Sequence, residues 1–202
     1  MEDKCRTDTE KTIEYYDKNA AAFVGSTINA DVTDLYKPFE ELIPPGARIL
    51  DLGCGSGRDS KYFVQHGYDV LALDPSPAMC GHTRSIVDIP VFQMKAEDMS
   101  FHNEFDAVWA CASLLHVPRD QQKKVMILIG KALKPEGICY CSWKYGDEER
   151  KDNGRHFTDY TERSLSNLLR RVAIFEVINY WITDDVRIDR DQKWINVIMK
   201  KI

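Results

Sequence analysis

From residue 47 onward, short apolar runs alternate with amphipathic stretches. ARILDLG (47–53), YDVLALD (68–74), IPVFQMKA (89–96), EFDAVWACA (104–112) and GICYCSW (137–143) have the length and β-prone content of strands. GRDSKYFVQHG (57–67), SPAMCGHTRS (76–85) and PRDQQKKVMILIGKAL (118–133) lie between them and read as helices. Ser76 is placed to cap the second of these, with Pro77 at its first position. Gly67 ends the first, and a PEG turn follows the third. Ahead of this region, 9–24 and 31–43 look helical, although Pro38 opposes the second. Beyond it, 145–160 reads as a polar loop without an element, 162–172 as a helix, and 174–183 and 193–201 as strands separated by DDVRIDRDQ.

Strands alternating with helices predict an α/β fold: a doubly wound, seven-stranded, mostly parallel sheet with an antiparallel last strand. The pattern implies a single domain over 1–202, with an N-terminal helical cap (1–45) on a Rossmann-like core (46–202). The final two strands have no helix between them and should pair as an antiparallel hairpin at the sheet edge. Ligands of open α/β sheets bind beyond the carboxyl ends of the strands. The loops after Gly53, Asp74, Ala96, Ala112 and Trp143 therefore share one face with the 184–192 loop.

That placement gives meaning to ILDLGCGSG (49–57), in which Gly53, Gly55 and Gly57 follow a strand. Glycine costs about 0.5–1 kcal/mol relative to alanine inside a regular element. A turn where ligand meets bare backbone is what the residue allows in return. The phosphate-loop pattern GxxxxGK[ST] is absent, and the GxGxxG of dinucleotide sites fails at Arg58. Asp74 ends the second strand, where an acid can accept bonds from both hydroxyls of a ribose. AEDM (96–99) follows the third strand, and FDAVWACASLLHV (105–117) covers the fourth.

In this order, ILDLGCGSG, VLALDPS, AED and FDAVWACASLLHV resemble the class I S-adenosylmethionine-dependent methyltransferases over residues 12–200. SLLHVPRDQ is similar to tellurite-resistance-type and other small-molecule methyltransferases. The resemblance implies S-adenosyl-L-methionine as cofactor and S-adenosyl-L-homocysteine as product. It assigns Asp51, Gly53, Gly55 and Gly57 to the methionine moiety and Asp74, with Pro75 and Ser76, to the ribose. Glu97, Asp98 and Met99 would surround the adenine, with Trp109 and Ala110 beneath the cofactor and Tyr16 of the first helix covering it. Plainer roles stand beside these: Asp51 as a turn cap, Asp98 as a solvated acid, Trp109 as core, Cys54 as a small loop residue.

Methyl transfer from a sulfonium is a direct displacement, so the protein's main task is alignment. A base is needed only where the acceptor must lose a proton. The candidate catalytic residues are His116, Lys144 and Arg155, and the candidate acceptor contacts are Tyr15, Ser113, His116, Lys144, Arg155, Phe157 and Arg187. His116 can accept a proton near neutral pH, or act as a cap or core residue. Lys144, Arg155 and Arg187 converge from separate loops. They suit either an anionic acceptor or a network with Asp147, Glu148, Asp184 and Asp185. The long 145–160 segment, with Gly146 and Gly154, is placed to act as a lid.

Composition narrows the range of functions. A net charge of −5 argues against the broad basic face of an RNA-modifying enzyme, although LLH also resembles tRNA wobble-uridine modifiers. A non-catalytic cofactor-binding module and an NAD-type reductase are rival functions, the second disfavoured by Arg58. No apolar run approaches the roughly 20 residues of a membrane span, and the polar start MEDKCRTDTEK lacks a signal-peptide core, which points to the cytoplasm. Cys5, Cys54, Cys80, Cys111, Cys139 and Cys141 form no CxxC pair or zinc-like set, so reduced thiols and no metal are expected. Cys139 and Cys141 alternate along a strand and should share a core face.

Overall fold

The structure, a computed structural model, describes residues 7–187 and 190–202. Cys5 and part of the 184–192 loop lie outside the described residues.

The apolar runs form the sheet. β1 (Arg48–Leu52), β2 (Asp69–Asp74), β3 (Val91–Gln93), β4 (Phe105–Ala110) and β5 (Leu133–Lys144) are parallel. β8 (Phe175–Asp184) and β9 (Lys193–Lys201) complete seven strands in the order β3-β2-β1-β4-β5-β9-β8. β9 is antiparallel to both neighbours, so the last strand is the reversed one, as its pattern predicts. The hairpin enters by inserting β9 beside β5, which leaves β8 as the edge strand. The strand order reverses direction between β1 and β4, the crevice where such sheets bind ligand.

Alternation along the strands sorts side chains onto two faces. Ile49, Ala107, Trp109, Ile138 and Tyr140 pack under α3 (Thr33–Glu40) and α4 (Arg58–Gln65). Leu50, Leu52, Val108, Ala110, Cys139 and Cys141 pack under α6 (Arg119–Ala132) and α7 (Glu162–Val172). Trp109 is a core residue: it stacks on Tyr140 at 4.0 Å, and its indole N–H donates to Asp59 at 2.9 Å. Ser76 caps α5 (Pro77–Ile86) by accepting from the Met79 N–H at 3.2 Å.

The structure departs from the pattern in four places. The first helical stretch breaks at Asn19 into α1 (Asp8–Lys18) and α2 (Ala20–Thr27). α3 runs through Pro38, close enough to its end that one missing N–H does not stop it. The PEG turn is taken up within β5, where Glu136 adopts a φ of 64°. The 145–160 segment is not a loop. It folds into an antiparallel hairpin, β6 (Glu149–Asp152) and β7 (Arg155–Thr158), turning at Asn153 (φ 49°) and Gly154 (φ 78°). Asn-Gly is a strong signal for this turn, obscured here by the unusually charged flanks ERKD and RH. No helix among the described residues is long and apolar enough to cross a membrane.

Candidate active site

The turn after β1 is built for close approach. Gly53 has a φ of 84°, and its N–H donates to the Leu73 carbonyl at 2.7 Å, which ties the turn to β2. A Cβ at Gly53 would lie 2.3 Å from the Ser113 Cβ, so this position has no room for a side chain. Gly55 (φ 50°) lies beneath the Phe23 ring, and its N–H donates to Asp74 at 3.0 Å. Gly57 serves packing: at a φ of 75° it starts α4, and a Cβ there would meet Thr83 of α5 at 2.9 Å.

Asp74 is buried at the end of β2. One carboxylate oxygen accepts from Gly55 and the other from the Ser76 N–H at 2.8 Å, so each retains a lone pair. Burial pushes its pKa up to about 6 despite those two bonds. It lines a cleft together with Tyr16, Gly53, Gly55, Pro75, Ser76 and Glu97. Ser113, an expected acceptor contact, lines this cleft, and its buried hydroxyl has no partner among the described residues.

Six residues expected around or beneath the cofactor do not line the cleft: Asp51, Gly57, Asp98, Met99, Trp109 and Ala110. Met99 and Ala110 are core. Asp51 accepts a 2.5 Å bond from the Ser60 hydroxyl, and burial, with the neighbouring charge of Asp59, raises its pKa. Its place is inside the turn's scaffold.

A second cavity adjoins the first and shares with it a wall of Tyr16, Phe23, Gly53, Gly55, Ala112 and His116. His116 Nδ1 lies 2.7 Å from the His156 carbonyl, which can only accept, so this nitrogen carries the proton. Nε2 is then the acceptor for the Tyr16 hydroxyl at 2.7 Å. Burial depresses the His116 pKa to about 3, with the nearby Arg155 and Lys144 charges acting in the same direction, and the ring stays neutral. Burial also pushes the Tyr16 phenol up to about 12.

Lys144, Arg155, Phe157 and Arg187 line this second cavity. Lys144 Nζ sits 4.2 Å from the centre of the Phe157 ring, and its pKa is lowered, first by burial and then by Arg150. No carboxylate among the described residues lies within ion-pair distance of it. Arg155 is held between the rings of Tyr15 (4.3 Å) and Phe157 (5.0 Å), and its buried Nε has no hydrogen-bond partner among the described residues. Tyr15 itself lines neither cavity and supports Arg155 from behind. Arg187 is held by Asp185 at 2.6 Å. The expected acidic network is therefore partly real, but it engages Arg187 and not Lys144.

Several residues at the site carry no sequence signal of their own. Asp17 of α1 accepts from the Ser76 hydroxyl at 2.6 Å and from the Ala78 N–H at 3.2 Å. Thr12 accepts from the His156 N–H at 2.9 Å. These bonds fasten α1 over the first cleft and against β7. Phe23 and Arg58 line the second cavity, with Arg58 neutralised by Asp59 at 2.6 Å.

Residues 49–137 match a family described as a methyltransferase domain. An uncharacterized methyltransferase of Synechocystis is 37% identical over 106 residues, covering 50% of this chain and 49% of that protein. The chain thus spans about half the length of the curated relatives it matches. Among solved structures, a Burkholderia thailandensis 1,6-didemethyltoxoflavin-N1-methyltransferase with bound S-adenosylhomocysteine superposes with a TM-score of 0.76 at 19% identity, covering 96% of this chain and 86% of that one. The cyclase SpnF superposes at 0.73 with 16% identity, covering 96% of each chain, so the fold alone does not dictate the chemistry. The strand order and the glycine turn beside an acid-ended β2 give this chain the fold of the methyltransferases it superposes on, and its residues 49–137 match the methyltransferase domain family.

Proposed function

We propose that this protein transfers a methyl group from S-adenosylmethionine to a small-molecule acceptor that carries an anionic group. The observation behind this reading is the pair of cavities meeting at one wall, the second of them holding a lysine without a carboxylate partner among the described residues and an arginine with an unpaired N–H. The first cleft suits the donor. Asp74 offers lone pairs to ribose hydroxyls, the Ser113 hydroxyl seeks a polar partner, and the bare backbone at Gly53 and Gly55 admits a close ligand. S-adenosylmethionine supplies an electrophilic methyl carbon on a positively charged sulfur.

The chain's own residues then align and receive. Lys144 and Arg155 anchor an acidic group on the acceptor by charge-assisted hydrogen bonds. The Phe157 ring, in contact with both cations, gives the acceptor's apolar part a surface. The Tyr16 hydroxyl, held by His116 Nε2 and close to the Arg155 guanidinium, fixes the rim between the two cavities. His116 stays neutral and positions Tyr16.

The test is incubation of the protein with methyl-labelled S-adenosylmethionine and a metabolite extract split by anion exchange. Label should enter an anion-retained small-molecule fraction, and Lys144→Gln with Arg155→Gln should remove it. Label entering only RNA, or none entering any fraction while donor still binds, would contradict the proposal.

A further inference from the structure

The wall between the two cavities presents a charge problem. A sulfonium whose methyl group is to enter the second cavity must sit at that wall. Across it lie Lys144 and Arg155, both cationic. The acids lining the second cavity are already engaged: Asp59 by Arg58, Asp184 by Lys193 and Asp185 by Arg187. On the near side, Asp74 and Glu97 line the first cleft, Asp74 at the ribose end with an N–H on each oxygen, and neither belongs to the wall or lines the second cavity. Among the described residues, no free carboxylate of the wall itself offsets the sulfonium.

What the wall does present is rings. Tyr16 lies between Phe23, at 5.0 Å between centroids with an interplanar angle of 82°, and His116, at 5.3 Å and 69°. All three line both cavities. Their arrangement is fixed at one end by the Tyr16 hydroxyl on His116 Nε2 and by His116 Nδ1 on the His156 carbonyl. An aromatic face attracts a cation within about 6 Å of its centroid, and the spacing of these rings lets one group reach more than one of them. The pair Tyr16–Phe23 is edge-to-face, so the set offers ring faces in different directions rather than a single stack. A charged imidazole would spoil this surface, and His116 is held neutral.

We propose that Tyr16, Phe23 and His116 form an electron-rich partition that recognises the sulfonium charge, so that the first cleft prefers the charged methyl donor over the neutral thioether product. The inference rests on the donor assignment made under the proposed function. Its consequence is directional: transfer of the methyl group removes the positive charge from sulfur, the partition loses its ligand, and product is held less tightly than donor. Tyr16 and Phe23 thereby set donor-over-product specificity through ring faces.

The experiment is calorimetric titration of the full chain with S-adenosylmethionine and, separately, with S-adenosylhomocysteine. The two probes share adenosine and amino-acid portions and differ at sulfur by the charge and the methyl group that carries it, so the ratio of their dissociation constants reports on the sulfonium. In Phe23→Leu and Tyr16→Leu the donor should weaken roughly five- to thirtyfold. The product should change by less than about twofold, and that retained affinity also shows that the variant is folded. Tyr16→Phe, which keeps the ring and loses the hydroxyl, should keep the wild-type ratio. Equal weakening of both probes in the leucine variants, or a ratio lost in Tyr16→Phe, would overturn the proposal. Wild-type protein that binds neither probe would refute the donor assignment as well, whereas normal binding with an unchanged ratio in the leucine variants would refute the partition alone.

Discussion

The two cavities share a wall but are built differently. The first is centred on main chain and a buried acid: Gly53, Gly55, Asp74 and Ser76 belong to two adjacent strand ends. The second is assembled from side chains on α2, β5, β7 and the β8–β9 hairpin, elements far apart in the sequence. The matched family stretch, 49–137, holds most of the first cleft and leaves out Lys144, Arg155, Phe157 and Arg187. A cleft made by backbone geometry leaves little freedom of sequence, because the φ values and the space at Gly53 permit little else. A cavity made by side chains can change its ligand without changing the fold. On the proposed function, donor binding would be concentrated in one half of the molecule and acceptor specificity in the other.

The sharpest way to break that contrast is at the glycine turn. Gly53→Ala combines a left-handed φ with a Cβ 2.3 Å from Ser113, and should destabilise the protein by about 2–4 kcal/mol. Thermal unfolding should show a clearly lower midpoint. An unchanged midpoint would mean that the turn has slack the structure does not show.

Next in size is Asp74→Ala. It removes the acceptor of two backbone N–H groups and the proposed ribose contact. S-adenosylhomocysteine should bind about 30- to 150-fold more weakly, equivalent to about 2–3 kcal/mol. Near-normal affinity would remove Asp74 from the site.

The acceptor side should respond more modestly and in a different quantity. Lys144→Gln and Arg155→Gln should each reduce labelling of the anion-retained product by about tenfold, the scale of one charge-assisted hydrogen bond. Equal labelling in both variants and the wild type would deny the second cavity its anion.

The smallest effect is one of pH. Asp74 has a folded pKa of about 6 against an ordinary 3.8, so between those values the folded protein holds a proton that the unfolded chain has released. Its contribution to stability consequently falls as pH rises through that window. Ligand hydroxyls need the ionised form, so S-adenosylhomocysteine should bind less well below about pH 6 and should release protons on binding there. Calorimetry in two buffers of different ionisation enthalpy measures this, and proton uptake would contradict it. His116 contributes with the opposite sign: its pKa of about 3 lies below 6.5, so stability is lost as pH falls through that interval.

The same contrast explains what the sequence reveals. The sheet order and the reversed last strand follow from apolar runs, and Asp74 is conspicuous because an acid ends an apolar strand. Spacing alone does not separate the glycines. Gly53 and Gly55 face the cleft, whereas Gly57 packs on Thr83, a contact with α5 that only the folded chain creates. Ser113 lines the first cleft for the same kind of reason: β4 lies beside β1, which brings its loop against Gly53. Asp17, Thr12 and Phe23 are illegible in the sequence because their roles depend on how α1 and α2 lie across the strand ends. The β6–β7 hairpin is legible at Asn153-Gly154, but its charged strands lack the alternation that identifies a buried strand.

The most direct test compares S-adenosylhomocysteine binding in Asp74→Ala with binding in the double variant Lys144→Gln, Arg155→Gln. Two separately built halves predict at least about thirtyfold weakening in the first and less than about threefold in the second. Equal weakening in both, or wild-type protein that shows no heat of binding, would contradict the account.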